Sequence, residues 1–174
     1  MVGGQFRGRA LLSPDDRRVR PTSDRVREAL FNILAHNDFG VDFVLRGARV
    51  LDLFAGTGAL GVEALSRGAA YCLFVDDSAE SRGLIRGNVE TFNLTGITKI
   101  WRRDAAELGP MPGNAGEAFG LVFLDPPYRK GLCEKALASA LAGGWLTAKA
   151  VAVVEQAADE PELVVDGFDI ADTR

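Results

Sequence analysis

The chain predicts an α/β fold in which a central, mostly parallel sheet carries helices on both faces. Three observations lead there. Short, wholly apolar runs such as Leu121-Val122-Phe123-Leu124 alternate with helical periods from Arg49 onward. These runs lack in–out alternation, so both of their faces are buried, as in a parallel sheet. The first run is followed by a glycine-rich turn that opens a helix, Gly56-Thr57-Gly58-Ala59-Leu60-Gly61.

Each element has its own signal. Residues 2–20 interleave Gly3, Gly4 and Gly8 with apolar and basic side chains, which predicts a short hairpin or extended arm. Pro21-Thr22-Ser23-Asp24 opens a helix that Thr22 or Ser23 can cap. Its apolar face reads as Val26, Leu30, Ile33 and Leu34, and Gly40 lies past its end. Strands are predicted at 50–53, 71–75, 97–102, 121–124 and 151–154. Helices are predicted through Leu60, Ala64 and Leu65 up to Gly68, over 78–93, and near 132–142. Residues 105–118, rich in Gly, Pro and Ala, form a loop.

Composition bounds the function. At 174 residues, 47% hydrophobic and 25% charged, the chain can hold a full core and is no disordered tail, fibre or coiled coil. The expectation is one domain over 1–174, with a basic arm at 1–21 and a core at 22–174. Cys72 and Cys133 are too few for a disulfide framework or zinc ribbon and read as small core residues. No metal is expected, and the lone His36 is assigned no role. No apolar run is long enough to span a membrane and no leader is evident, so a cytoplasmic protein is expected. A monomer is expected as well, with no residue pattern that decides the oligomeric state.

The net charge of −4 first argues against a nucleic-acid partner, but its distribution does not. Residues 1–35 hold seven Arg and four acidic residues, a net +3; the other 139 hold 13 basic and 20 acidic residues, a net −7. Arg7, Arg9, Arg17, Arg18 and Arg20 suit bidentate phosphate contact, although a solvated basic arm would look the same.

The loop Phe54-Ala55-Gly56-Thr57-Gly58 stands where a nucleoside cofactor is cradled, with Asp76 or Asp77 twenty residues on to take ribose hydroxyls. Asp52, directly before the loop, would repel a pyrophosphate but suits the ammonium and sulfonium of S-adenosylmethionine. Asp104 and Ala105 then fall near the adenine edge.

Asp125-Pro126-Pro127-Tyr128 ends the fourth strand. The exocyclic amine of a nucleobase is a poor nucleophile because its lone pair is delocalised. The Asp125 carboxylate and the Pro126 carbonyl can each accept one of its N–H bonds and aim the lone pair at a sulfonium methyl. Tyr128 offers a flat face to an unstacked base. These four residues serve guanine N2 and adenine N6 equally. A nicotinamide-dependent oxidoreductase shares the glycine loop, but Asp52 and the lack of a placed histidine oppose it.

The chain resembles the bacterial 16S ribosomal RNA guanine-N2 methyltransferases. The matching runs are Gly3-Gly4-Gln5-Phe6-Arg7-Gly8-Arg9, the stretch from Arg20-Pro21-Thr22-Ser23-Asp24 through Phe31-Asn32-Ile33-Leu34, the run Leu51 to Gly61, and Asp125 to Tyr128. The resemblance implies a Rossmann-like class I methyltransferase with a seven-stranded sheet, S-adenosylmethionine as donor and guanine N2 as acceptor. It also implies an arm that engages 16S rRNA or the assembling small subunit, and a loop at Arg20-Pro21-Thr22 near cofactor and target base. Such proteins usually end in a further hairpin that completes the sheet; this sequence stops at Asp172-Thr173-Arg174, where it would begin, so those strands either lie beyond this sequence or are lost.

Overall fold

The computed structural model describes residues 1–12, 24–36, 42–127 and 130–173. Five strands form one sheet: β1 (Arg49–Leu53), β2 (Tyr71–Val75), β3 (Thr98–Trp101), β4 (Phe119–Leu124) and β5 (Leu146–Val154). Their order is β3-β2-β1-β4-β5 and every pair is parallel. Four helices cover it: α1 (Asp24–His36), α2 (Ala59–Ser66), α3 (Ala79–Thr91) and α4 (Leu132–Ala142).

Successive strand residues feed opposite faces, so the sheet divides two cores. Val50, Cys72, Phe74, Leu121 and Phe123 meet α1, α2 and α3 on one face. Leu51, Leu53, Leu73, Val122 and Leu124 meet α4 and Trp145 on the other. Both cysteines are buried.

The described residues hold five strands, which fits the expected class I methyltransferase sheet with its last strands missing. Residues 155–173 contain no strand, because Pro161 and scattered acidic residues leave no apolar run of strand length. Instead Leu163, Val165 and Phe168 pack against the α4-side core. Strand β5 starts five residues earlier than the sequence suggests. It has one described strand neighbour, so polar Thr147 and Lys149 face solvent without penalty.

Two further expectations are corrected. Within the described part of the arm no hairpin forms. Gly4–Phe6 makes a 3-10 turn, Gly4 has φ +70°, and a Cβ there would lie 2.0 Å from the Ser66 carbonyl oxygen. The turn is shaped by docking on α2, and Phe6 is buried against Phe92 at 4.8 Å between ring centroids. The buried face of α1 is Arg27, Phe31 and Leu34, while Val26 is 52% exposed. Charge overrides the apolar pattern here, because Glu63 of α2 is fully buried and faces Arg27. The caps Thr22 and Ser23, and Gly40, lie outside the described residues.

All eight residues of α2 are buried, since the helix is wedged between the sheet and the arm. Gly61 permits that approach: a Cβ would sit 2.4 Å from the Phe74 ring. Helix α3 begins at Ser78, whose hydroxyl accepts from the Ser81 amide at 3.2 Å.

Candidate active site

The chain leaves β1 toward β2 on one side and later places β4 on the other, so strand order reverses at the carboxyl end of β1. A crevice for ligands opens at such a switch point. Asp52, the loop 54–58, Asp76 and Asp125 all gather there.

Asp52 is the penultimate residue of β1, opposite Phe123 of β4, and only 2% exposed. Its Oδ2 accepts from the Gly61 amide at 3.1 Å. Burial holds its carboxyl well above the usual range; the Gly61 amide opposes this, and the charges of Asp125 and Asp76 add to it. The three acids therefore share one electrostatic environment.

Asp76, directly after β2, is half-buried. Its Oδ2 accepts from the Gly56 amide at 3.0 Å and its Oδ1 from the Ser78 amide at 2.9 Å. Burial raises its pKa; the two amides and Arg82 oppose, and Asp77 adds to the rise. Asp76, not the exposed Asp77, is thus built into the loop.

The loop is tightly specified. The Ala55 amide donates to the Val75 carbonyl at 3.2 Å, and the Gly58 amide to that of Ala55 at 2.8 Å. Gly56 and Gly58 have φ of +60° and +81°, and Phe54, at +55°, is a non-glycine residue in the same left-handed region. Such backbone outside the comfortable regions concentrates at functional loops. Thr57 is buried.

Asp104 follows β3, one strand further out than Asp76. It is exposed, and its Oδ1 accepts from the Ala106 amide at 2.9 Å in a local turn. Ala105 is buried in the α4-side core.

Asp125 follows β4, Pro126 is buried and Pro127 exposed. The prolines, with Leu132, Cys133 and Glu155, line a cavity of about 460 Å³ on the β5 side. The Cys133 thiol is pushed up to about 12, first by burial and then by Glu134, Glu160 and Asp125. It is no thiolate nucleophile at neutral pH. Tyr128, Arg17, Arg18, Arg20 and Thr22 lie outside the described residues.

Of the arm's cations, Arg7 is exposed. Arg9 is also exposed, but its guanidinium lies 4.4 Å from the Phe92 ring centroid and donates to the Thr91 carbonyl at 3.1 Å. Packing and charge thus share this side chain.

Two residues escaped the sequence reading. Glu63 is fully buried and accepts from the amides of Val2 at 3.0 Å and Gly3 at 3.2 Å and from Arg67 Nε at 3.2 Å. Asn88 donates to the Thr57 carbonyl at 2.9 Å and accepts from the Leu12 amide at 2.6 Å. Asn88 shares the buried face of α3 with Ser81, Ile85 and Val89, a mixed polar and apolar row that carries no clear periodic signal.

Among the described residues, no group of three or more His, Cys, Asp or Glu could hold a metal ion, and no helix is long and apolar enough to cross a membrane.

Comparison with known proteins gives consistent neighbours. The family described as "Conserved hypothetical protein 95" matches residues 1–174. Ribosomal RNA small subunit methyltransferase D of Escherichia coli is 42% identical over 156 residues, 89% of this chain and 73% of that protein. Its namesake from Haemophilus influenzae is 31% identical over 169 residues, 97% of this chain and 83% of that protein. A solved hypothetical protein of Thermus thermophilus superposes with a TM-score of 0.67 at 30% identity, covering 92% of this chain and 87% of its own.

Proposed function

The chain belongs to the Conserved hypothetical protein 95 family, and from that premise we propose that it methylates the exocyclic N2 amine of a guanine in 16S ribosomal RNA, with S-adenosylmethionine as donor. The chain acts as one methyltransferase domain over 1–174, with 1–21 as RNA-contacting arm and 22–174 as donor-binding and catalytic core. Its relatives' names carry the small-subunit rRNA methyltransferase activity. The step to guanine N2 rests on the family-specific runs at 3–9 and 20–34.

The observation that carries the reading is the buried carboxylate Asp52, set among Asp76 and Asp125 at the switch point. Burying that carboxylate among other acids is costly, favours a cationic ligand and is hostile to a pyrophosphate. S-adenosylmethionine supplies a methyl group on a cationic sulfur. The residues present fit it: Asp52 faces positive charge, Asp76 stands at the loop edge to take ribose hydroxyls, and Gly56 and Gly58 give the loop its left-handed turns.

On the acceptor side, the Asp125 carboxylate and Pro126 carbonyl each accept one N–H of the guanine amine. That geometry turns the nitrogen lone pair toward the methyl carbon. The N–C bond forms as the C–S bond breaks and its electron pair leaves with sulfur. The surplus amine proton then passes to the Asp125 carboxylate or to water, so no strong base is needed. Tyr128 supplies the stacking face for the extruded base. Arg7, Arg9, Arg17, Arg18 and Arg20 neutralise phosphates.

The test is methyl transfer from labelled S-adenosylmethionine to small-subunit particles. Transfer by the unaltered chain, with loss of roughly a hundredfold or more in Asp125→Ala, is the expected result. Full transfer by that variant contradicts the mechanism.

A further inference from the structure

The arm does not merely hang beside the donor loop; it is wired to it through one side chain. Residues 9–12 run along α3. Arg9 reaches the Thr91 carbonyl and Phe92, and Leu12 lies over Gly87, where an added Cβ would come within 2.4 Å of Leu12 Cδ1. Next to that contact stands Asn88, 1% exposed. Its Oδ1 accepts from the Leu12 amide at 2.6 Å, and its Nδ2 donates to the Leu12 carbonyl at 3.4 Å and to the Thr57 carbonyl at 2.9 Å. One amide thus satisfies backbone groups of the arm and of the glycine loop together.

The side-chain amide is suited to this double task. It presents an acceptor and a two-hydrogen donor on one rigid plane. A carboxylate keeps the acceptor but loses both donors, and an aliphatic side chain loses everything. Thr57 lies between Gly56, whose amide is held by Asp76, and Gly58, at φ +81°, so its carbonyl direction fixes the cradle.

We propose that Asn88 is a positioning residue that couples the arm to the donor loop, so that RNA held by the arm tightens the methyl-donor site and donor binding tightens the hold on RNA. The coupling rests on reading the loop as the donor site and the arm as an RNA contact. It goes beyond that reading by making the two affinities interdependent, and reciprocity then follows from thermodynamic linkage.

The test uses the full chain, labelled S-adenosylhomocysteine in equilibrium dialysis, and a 16S rRNA transcript. For the unaltered chain, RNA is expected to tighten S-adenosylhomocysteine on the order of five- to tenfold. Leu12→Pro removes the amide hydrogen that Asn88 Oδ1 accepts but leaves the Asn88–Thr57 bond. It is expected to bind S-adenosylhomocysteine normally without RNA, to lose the enhancement, and to raise KM for RNA with kcat retained. Asn88→Asp keeps the bond from the Leu12 amide and loses those to the Leu12 and Thr57 carbonyls. It is expected to bind S-adenosylhomocysteine roughly fivefold more weakly even without RNA, and also to lose the enhancement. A merely structural Asn88 would lower the melting temperature and leave the enhancement intact.

Full enhancement in Leu12→Pro overturns the coupling, as does an unaltered chain that binds S-adenosylhomocysteine equally with and without RNA; both leave the proposed reaction standing. An unaltered chain that binds no S-adenosylhomocysteine at all overturns the reaction and the coupling with it.

Discussion

The Gly61 amide donates to Asp52 Oδ2 at 3.1 Å, tying the carboxyl end of β1 to the first turn of α2 across the whole glycine loop. The bond spans nine residues and is buried, so it fixes the loop's two ends relative to each other. The same carboxylate is the most heavily desolvated acid of the site, and the amide only partly offsets its burial. Structure and the proposed cofactor binding therefore place opposite demands on Asp52.

Asp52→Asn separates those demands. The side-chain carbonyl still accepts from Gly61, while a buried negative charge beside Asp76 and Asp125 disappears. The cofactor-free protein should gain about 1 kcal/mol, roughly 2–4 °C in melting temperature for a chain of this length. S-adenosylmethionine binding should weaken by about 1.5–3 kcal/mol, the size of a lost charge-assisted bond. Thermal melts and calorimetry check both signs; a variant that melts lower and binds normally contradicts the assignment.

A pH dependence follows from Asp52 and Asp76, both raised in the folded protein. A raised carboxyl binds its proton more tightly folded than unfolded. Its stabilising contribution is therefore complete below the ordinary carboxylate range and is lost as pH rises through the folded pKa. Donor affinity runs the other way: a cation prefers the ionised acids, so binding strengthens through that window and releases protons. Melting curves and calorimetry in buffers of different ionisation enthalpy test this. In Asp52→Asn both pH slopes should shrink; slopes unchanged from the unaltered protein count against it.

Glu63 holds the arm down. In Glu63→Ala the Val2 and Gly3 amides and the buried Arg27 all lose an acceptor or counter-charge, at a cost of about 3–5 kcal/mol. Glu63→Gln keeps an acceptor and should cost less. Urea denaturation gives the ranking, and a Glu63→Ala loss under about 1 kcal/mol would contradict it.

Arg7 and Arg9 differ in a measurable way. If both meet phosphate, each alanine replacement lowers the slope of log affinity against log salt by roughly one unit. Arg9→Ala should also lower stability, by about 0.5–1 kcal/mol, through the lost cation–π contact with Phe92. Arg7→Ala, at an exposed residue, should leave stability as it is. Equal melting temperatures for the two variants would argue against the packing role of Arg9.

The sheet and its switch point were legible because apolar strands and glycine-marked turns are local signals. The positions of Asp52, Asp76 and Asp125 were legible for a related reason: each stands at the carboxyl end of a strand, and in a parallel sheet those ends share one edge. Glu63 and Asn88 were not, because their partners are backbone groups 60 and 61 residues away for Glu63, and 76 and 31 residues away for Asn88. The α1 face failed at Val26 for the same cause. Apolar periodicity assigned Val26 to the core, but a buried acid on another helix drew Arg27 inward. The arm's glycines suggested a short hairpin or an extended arm and did not show that Gly4 is spent on close approach to Ser66.

The most direct test of the central claim is the identity of the methylated nucleoside. Small-subunit particles lacking the modification are incubated with the chain and S-adenosylmethionine, and the rRNA is then digested to nucleosides for mass analysis. The account predicts N2-methylguanosine, in an amount that vanishes with Asp125→Ala. N6-methyladenosine as the product, or no methylated nucleoside from an unaltered chain that binds S-adenosylmethionine, would contradict it.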